Sequence, residues 1–229
     1  MPTYRHNPTG KRFLFAHIPR TAGRFFEMNL KKNDCVLEQN NIWDSVDGIE
    51  VAHFHRELYE KHFDVKNIPH ISFVRNPIDR FFSASIYLRR VYGHDICDQL
   101  EDETQFFSMI DNMPFSEAVN WYRPQVDFLS EKTKVWKYEN GYGKKFENWL
   151  KEVLEIDFKM DAFISYTTGV DEGVNKVERR DKIIDNVRTF YRRDIEQLYP
   201  ELATSLQKGE KKKTKTTSTQ GAERSTAPI

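Results

Sequence analysis

The sequence predicts an α/β domain in which a central parallel sheet lies between two layers of helices. Strand-like apolar runs alternate with helix-compatible segments along most of the chain, which is the order expected of parallel strands joined by crossover helices. Hydrophobic residues make up 38% of the 229 residues, enough to form a packed core. A chain of this length has room for one compact domain and is too short for two full α/β domains.

The elements of this domain are predicted in chain order from local apolar runs and helical spacing. The predicted strands are residues 12–18, 51–54, 70–74 and 134–138, and the predicted helices are residues 25–32, 78–92 and 144–154. A final helix is predicted because Ile184, Val187, Tyr191, Ile195 and Leu198 form one apolar stripe at spacings of three and four residues. This stripe is typical of a helix that packs on the core.

The charge balance limits the classes of partner. The chain has 35 Lys and Arg and 35 Asp and Glu, so it carries no overall charge of the kind that binds duplex nucleic acid or an anionic membrane. Residues 205–229 hold six of the basic and two of the acidic residues, which leaves 29 basic and 33 acidic residues in 1–204. This Lys, Ser and Thr-rich tail has no apolar periodicity and is expected to be disordered. The folded domain is therefore expected over residues 1–204.

Compartment and metal content are predicted from what the sequence contains. Two cysteines, Cys35 and Cys97, are too few for a disulfide framework, and no spaced ligands of zinc are present, so no metal is expected. No run of 18 apolar residues occurs, and the first residues lack the apolar segment of a secretory signal. A cytoplasmic protein without a membrane span is expected.

The first candidate site is the turn that follows the strand at residues 12–18. A strand that leads into a helix N-terminus presents backbone N–H groups and the positive end of the helix dipole, which suits a phosphate. Gly23 allows close backbone approach, while Arg20 and Arg24 supply charged donors and Thr21 supplies a hydroxyl. A simple turn with solvated arginines is as consistent with this segment alone.

The second candidate site repeats this architecture after the strand at residues 70–74. Arg75 lies at the carboxyl end of the strand, Pro77 suits the first turn of a helix, and Ser83 follows about two turns into that helix. Because ligands of open α/β sheets bind beyond the carboxyl ends of the strands, both turns can face one ligand with two phosphate groups. Arg80 is expected to form a surface or structural ion pair with its neighbour Asp79.

These two motifs resemble those of a known enzyme family. Residues 17–24 are similar to the 5′-phosphosulfate loop of sulfotransferases that use 3′-phosphoadenosine 5′-phosphosulfate (PAPS), in the branch of the carbohydrate and heparan sulfate 2-O-sulfotransferases. Residues 74–84 are similar to the 3′-phosphate motif of that family, and residues 121–129 and 173–176 resemble further segments of it. The likeness spans roughly residues 12–202 and implies a three-layer, P-loop-like sulfotransferase fold.

The resemblance implies which residues bind the donor PAPS and its product, 3′,5′-adenosine bisphosphate. Arg75 and Ser83 would bind the 3′-phosphate. The other implied donor contacts are Arg20, Thr21, Ala22, Gly23, Arg24, Phe25, Asn175 and Lys176. The chain departs from the family pattern in two places, since Arg20 stands where the family has lysine and Arg24-Phe25 where it has Thr-Ser. Arginine keeps the charge but cannot donate a proton as an acid. Either Arg24 replaces the missing hydroxyls or the donor binds more weakly.

The candidate base lies between the two turns, in residues 51–57. His53 and His55 are two residues apart and would share one side of an extended segment, and histidine has a pKa suited to removing a proton near neutral pH. The resembling uronyl 2-O-sulfotransferases carry active-site histidines at this place. We expect His53 to be the base and His55 its helper or an acceptor contact, with Glu57 as an alternative base. Two ordinary structural histidines remain the other interpretation, and His17 is expected to pack beneath the first turn.

The function expected from these features is transfer of a sulfuryl group from PAPS to a hydroxyl of an acceptor, for which the resemblance implies a carbohydrate. Such a reaction is an in-line displacement in which charge stabilisation at the departing phosphate, here by Arg20, is central. One alternative is a nucleotide-binding module with little catalysis, motivated by Arg20, Arg24 and Phe25. A second is a P-loop-type nucleotide kinase, disfavoured because the Gly-x-x-x-x-Gly-Lys-Ser/Thr motif is missing.

Overall fold

The computed structural model describes residues 3–38, 44–46, 48–92, 117–161 and 180–203. The strands in these ranges are β1 (Thr3–His6), β2 (Arg12–Ala16), β3 (Cys35–Leu37), β4 (Ser45–Val46), β5 (Ile49–Glu50), β6 (His70–Val74) and β7 (Thr133–Lys137). The helices are α1 (Gly23–Lys32), α2 (Arg56–His62), α3 (Pro77–Tyr92), α4 (Glu117–Tyr122), α5 (Lys144–Leu154), α6 (Arg180–Phe190) and α7 (Arg192–Leu198). Short 3-10 helices cover Val51–His53, Gln125–Phe128 and Tyr138–Asn140. None of the helices in these ranges combines the length and apolar character needed to cross a membrane.

The main sheet is mixed rather than wholly parallel. Its strand order is β3-β1-β2-β6-β7; β2 and β6 are parallel, as are β6 and β7, whereas β1 is antiparallel to both β2 and β3. The sequence-based prediction of a parallel sheet is therefore wrong for β1 and β3, and it omits both of these strands. The reason is the short turn between β1 and β2, where Gly10 has a φ of 69° and donates its N–H to the His6 carbonyl. A connection of a few residues permits only an antiparallel pair.

Helices cover both faces of the sheet, so the domain has three layers. Successive residues of β2 lie on opposite faces, with Phe13 and Phe15 in one apolar cluster and Leu14 and Ala16 in another. α1 and α5 pack in the first cluster, and α2 and the end of α7 pack in the second. All five residues of β6 are buried, as expected of a central strand covered on both sides. The α/β class is confirmed.

Most of the predicted elements are present in the structure. The predicted strands at 12–18, 70–74 and 134–138 and the predicted helices at 25–32, 78–92 and 144–154 agree with β2, β6, β7, α1, α3 and α5 to within two residues at each end. The predicted final helix is divided at Tyr191 into α6 and α7. Its stripe residues Val187, Tyr191 and Ile195 are buried as predicted, and the Tyr191 hydroxyl donates to the Tyr122 carbonyl at 2.6 Å.

Residues 51–54 form a 3-10 helix and a turn rather than the predicted strand. β5 ends at Glu50 and α2 begins at Arg56, so this segment connects two elements and does not pair in the sheet. The Phe54 N–H donates to the Val51 carbonyl at 3.4 Å, and both side chains are buried in the cluster around α2. The apolar pattern that predicted a strand therefore reflects burial against the core.

Candidate functional site

Two turns follow the carboxyl ends of two neighbouring strands, at the same end of the sheet. The first turn (residues 17–22) leads from β2 into α1, and the second turn (residues 75–76) leads from β6 into α3. β2 and β6 are parallel, and Ala16 is paired with Ser72. The Ser72 hydroxyl donates to the Ala16 carbonyl at 2.7 Å, which fixes the two strand ends to each other. A ligand at the carboxyl edge of these strands can therefore contact both turns.

The first turn leads into a helix that has no side-chain cap. Two of its residues lie in the left-handed region, Arg20 with a φ of 68° and Ala22 with a φ of 71°. Ala22 is the N-cap of α1 and gives the helix no side-chain cap, so the amides of the first helical turn have no partner of this kind. The buried Thr21 hydroxyl donates to the Ile18 carbonyl at 2.8 Å, so this proton is used within the turn. The backbone and the helix dipole are the features suited to a phosphate here.

His17 packs directly beneath Gly23. A Cβ atom built on Gly23 would lie 1.9 Å from Nε2 of His17, so any side chain at this position would collide with the imidazole. The His17 side chain is 3% exposed, and its ring stacks on Phe15 with the centroids 5.5 Å apart. The expectation that His17 packs beneath the turn is confirmed, and it explains why the turn requires glycine at this point.

A buried carboxylate, Glu27, lies between His17 and Arg24. Its Oε1 is 3.2 Å from Nδ1 of His17, and its Oε2 accepts a hydrogen bond from Nη1 of Arg24 at 3.2 Å. Burial alone raises the pKa of Glu27, but the polar contact with His17 and the charge of Arg24 outweigh burial and lower it. Burial lowers the pKa of His17. Arg24 is therefore paired with an ionised carboxylate of its own helix at neutral pH.

A hydrogen bond joins the first turn to α3, the helix that follows the second turn. Nε of Arg20 donates to the Ser83 hydroxyl at 2.9 Å, although the two residues are 63 positions apart in the chain. Arg75 is 9% exposed, and its guanidinium carbon lies 4.5 Å from the centroid of the Tyr138 ring, within the range of a cation–π contact. The structure thus brings Arg20 into contact with Ser83, whereas Arg75 packs on Tyr138.

The second turn differs from the first in how its helix is capped. The side-chain oxygen of Asn76 accepts hydrogen bonds from the N–H groups of Ile78 at 3.0 Å and Asp79 at 3.5 Å, which caps α3. The Asn76 N–H itself donates to the Glu139 carboxylate. The amides of this turn are thus bonded within the protein, and an anion here would have to rely on side chains.

His53 lies beside the first turn, although not in the extended segment expected for it. It ends the 3-10 helix Val51–His53 and is 4% exposed. Its ring meets the His17 ring edge to face at 4.9 Å and the Trp121 ring at 5.5 Å. Nδ1 lies 3.4 Å from the Glu50 carboxylate, and the His53 carbonyl accepts a hydrogen bond from Asn120 at 2.6 Å. His53 is thereby linked to the first turn through His17.

His55 has a different environment, so the expectation that the two histidines share one side of an extended segment is wrong. It is the N-cap residue of α2 and is 3% exposed. Burial and the nearby charge of Arg123 lower its pKa to about 4, so it is neutral at physiological pH. Its Nε2 is 3.8 Å from the carboxylate of Glu57, whose side chain is 91% exposed.

Tyr87 connects the base candidate to Arg20 and was not predicted from the sequence. Its ring stacks on Trp121 with the centroids 4.7 Å apart and the planes 8° from parallel. The guanidinium carbon of Arg20 lies 5.0 Å from the centroid of the same Tyr87 ring. His53, Trp121, Tyr87 and Arg20 therefore form one series of contacts. A sequence signal was present, since Tyr87 follows Ser83 by four residues and so shares its helix face.

Arg80 is a structural residue inside the domain. It is fully buried, so the surface alternative of the expected surface or structural ion pair with Asp79 is wrong. Its Nη1 donates to the Trp121 carbonyl at 3.0 Å and its Nη2 donates to the Arg123 carbonyl at 2.6 Å. Arg80 thus attaches α3 to the start of residues 121–129. This is one of the segments whose sequence resembles the sulfotransferases.

Two of the predicted donor contacts, Asn175 and Lys176, lie outside the described residues, as do Cys97 and the tail at 205–229. Over the ranges that are described, no group of three or more His, Cys, Asp or Glu side chains is arranged to hold a metal ion. The candidate site of the described residues consists of amides, guanidinium groups, hydroxyls, imidazoles and the carboxylates of Glu27 and Glu50.

No protein-family model matches the chain, and no curated protein and no solved structure matches it either. The interpretation of the site therefore rests on its geometry and on the resemblance of its two motifs.

Proposed function

We propose that this chain is a PAPS-dependent sulfotransferase that transfers a sulfuryl group to a hydroxyl of a carbohydrate acceptor. The hydrogen bond from Arg20 to Ser83 carries the proposal, because it joins the two motifs that resemble the phosphate-binding segments of this family. The parallel pair β2 and β6, with a strand-turn-helix unit at each carboxyl end, supports a P-loop-like sulfotransferase fold.

The donor groups at the sheet edge fit a nucleotide that carries phosphate at both its 5′ and 3′ positions. The amides of the first turn of α1 and the guanidinium of Arg20 would hold the 5′-phosphate. Arg75 and Ser83 would hold the 3′-phosphate. Arg24 is already paired with Glu27, so we assign it a weaker part in donor binding than Arg20. PAPS supplies the sulfuryl group when it is bound.

The proposed chemistry places charge stabilisation at Arg20 and proton removal at His53. As the acceptor oxygen bonds to sulfur and the bond from sulfur to the phosphate oxygen breaks, negative charge grows on the 5′-phosphate, where the permanent charge of Arg20 stabilises it. The Glu50 carboxylate faces Nδ1 of His53, so Nε2 is the nitrogen that accepts the acceptor's proton. Glu50 then stabilises the imidazolium, as the carboxylate of a catalytic triad does.

His55 is assigned a supporting role in this reaction. A histidine with a pKa of about 4 is neutral at physiological pH but is a weak proton acceptor. The Glu57 side chain is 91% exposed, so little packing holds its carboxylate in one position toward an acceptor. His53 is therefore the base that the surroundings favour among these three residues.

The proposal is tested first by binding and then by transfer. Calorimetric titration with 3′,5′-adenosine bisphosphate should show binding by the wild type, and Arg20→Ala should weaken it about tenfold, as expected for loss of a charge-assisted contact. Arg12→Ala is the matched control, because Arg12 lies at the opposite end of β2 and pairs with Glu38. PAPS labelled in its sulfate should then transfer label to at least one member of a panel of glycans.

A second candidate function, a nucleotide-binding module with little catalysis, is favoured by one observation. His53 is 4% exposed, which leaves an acceptor hydroxyl little access to its ring. Binding of the bisphosphate without label transfer to any glycan, small hydroxylated compound or tyrosine peptide would favour this module. Absence of bisphosphate binding would contradict both candidate functions.

A further inference from the structure

We propose that Gln125 is a positioning residue for the guanidinium of Arg75, and this inference rests on the proposed function. The Gln125 side chain forms a reciprocal pair of hydrogen bonds with the Arg75 backbone. Its Oε1 accepts from the Arg75 N–H at 2.9 Å, and its Nε2 donates to the Arg75 carbonyl at 2.8 Å. Gln125 is fully buried although it lies 50 positions away in the chain.

Arg75 needs such a partner because the sheet ends before it. The last pair between β6 and β7 joins Val74 to Lys137, so the ladder does not extend to Arg75. By bonding both backbone groups of Arg75, Gln125 takes the place of the next strand residue. A backbone fixed at both groups sets the direction of the Cα–Cβ bond, and hence the region in which the guanidinium lies over the Tyr138 ring.

Gln125 is itself fixed by a buried carboxylate on the last helix. Asp194 in α7 is fully buried and accepts hydrogen bonds from the N–H groups of Gln125 at 2.9 Å and Val126 at 3.0 Å. Arg80 in α3 holds the preceding carbonyls of Trp121 and Arg123. The segment that presents Gln125 is thus attached to two helices, which makes it a rigid support for Arg75.

Selectivity between nucleotides distinguishes positioning from a general structural role. If Gln125 acts through Arg75, its loss should weaken binding of 3′,5′-adenosine bisphosphate more than binding of 5′-AMP, which lacks the 3′-phosphate. A residue that only stabilises the fold would change both affinities alike or neither. The measured quantity is therefore the ratio of the two dissociation constants.

The experiment measures this ratio by calorimetric titration in the wild type, Gln125→Met and a matched control. Asn33→Leu is that control, because Asn33 makes the same reciprocal pair, to the Lys159 backbone at 2.8 and 3.0 Å, at the far end of α1. We expect Gln125→Met to reduce the preference for the bisphosphate by roughly threefold to tenfold. Asn33→Leu should leave the preference unchanged.

A double variant and a milder substitution complete the test. The double variant Arg75→Ala/Gln125→Met should lose no more of its preference for the bisphosphate over 5′-AMP than Arg75→Ala alone, since the two residues act as one unit. Gln125→Asn retains the carboxamide but is too short to reach both backbone groups, so it should reduce the preference even if Gln125→Met does not fold.

The outcomes separate this inference from the proposed function. A preference that disappears in Arg75→Ala but persists in both Gln125 variants would overturn the positioning role and leave the proposed function intact. A wild type with no preference for the bisphosphate over 5′-AMP would overturn the 3′-phosphate assignment, and the positioning role with it.

Discussion

The first and second turns have the same strand-turn-helix architecture and yet offer an anion different groups. At the first turn, Ala22 gives α1 no side-chain cap, and the backbone is bent by two positive φ angles. At the second turn, Asn76 caps α3 and Glu139 bonds the Asn76 N–H. A shared architecture therefore does not imply shared chemistry. The first turn is suited to bind an anion through backbone amides, and the second through the side chains of Arg75 and Ser83.

The turns also differ in their neighbours. The His17 ring lies beneath the first turn and contacts His53, whereas the second turn contacts Tyr138 and Gln125. In the proposed enzyme the first turn therefore lies next to the chemistry, and the second turn provides recognition of the nucleotide. Substitutions near the first turn should affect turnover or folding, and those near the second should affect selectivity.

The largest expected effect concerns His55, a buried histidine with only a supporting role in the proposed reaction. Its pKa is lowered to about 4 in the folded protein and is about 6.5 in an unfolded chain, so the unfolded chain binds the proton first as pH falls. Between about pH 6.5 and pH 4 the wild type should lose up to about 3 kcal/mol of unfolding free energy from this group. Urea unfolding at pH 7 and pH 4.5 should show a smaller loss in His55→Gln. Equal losses in both proteins would mean that His55 is not held neutral.

The next effect tests whether chemistry belongs to the first turn. His53→Ala should reduce turnover about 100-fold, the usual contribution of a positioned base, and should leave bisphosphate affinity nearly unchanged. The measurement is label transfer from PAPS to a glycan that the wild type accepts, together with calorimetric titration. Wild-type turnover in His53→Ala would move the role of base to another residue, and a matching loss in nucleotide affinity would argue for a structural role.

Gly23→Ala tests the close packing of the first turn on His17. Its new Cβ would lie 1.9 Å from the imidazole, so the turn or His17 must shift, and we expect a loss of about 2 kcal/mol in the free energy of unfolding. Gly143→Ala is the control, because Gly143 also precedes a helix as the N-cap of α5 and has no atom within 4 Å of an added Cβ. It should cost less than about 1 kcal/mol by urea unfolding. Similar losses in both variants would contradict the packing argument.

At the second turn, Arg75→Ala should weaken binding of 3′,5′-adenosine bisphosphate about tenfold more than binding of 5′-AMP. Ser83→Ala should act in the same direction with a smaller effect, because its hydroxyl contributes a neutral hydrogen bond and also accepts from Arg20. Titration of each variant with both nucleotides gives the comparison. If the binding of both nucleotides is weakened by the same factor, Arg75 and Ser83 do not bind the 3′-phosphate.

The smallest effect concerns the carboxylate that distinguishes the second turn. Glu139→Gln keeps an acceptor for the Asn76 N–H and removes a negative charge near the proposed 3′-phosphate position. Affinity for the bisphosphate should rise by about threefold, in the range of a weak surface ion pair, with 5′-AMP little changed. Glu131→Gln, an exposed acidic residue at the other end of β7, should change neither affinity. An unchanged bisphosphate affinity in Glu139→Gln would place the phosphate elsewhere.

The strands and helices that flank the two turns could be predicted from the sequence, because apolar alternation, helical spacing and the residues of a turn are local properties. β6 and α5 begin and end where the pattern predicts, and Gly23 marks the turn that needs it. The prediction for residues 51–54 was wrong because a short apolar run has the same sequence pattern whether it pairs in a sheet or packs against one.

The contacts between distant residues could not be predicted from local patterns. The antiparallel β1, the contact of His17 with His53 and the bonds from Gln125 to Arg75 join positions that no local pattern relates. Burial likewise lowers the pKa of His55, and it makes Arg80, which was expected in a surface or structural ion pair, an internal support. The physical reason is that desolvation and hydrogen-bond partners depend on what packs around a group, and packing is a property of the whole fold.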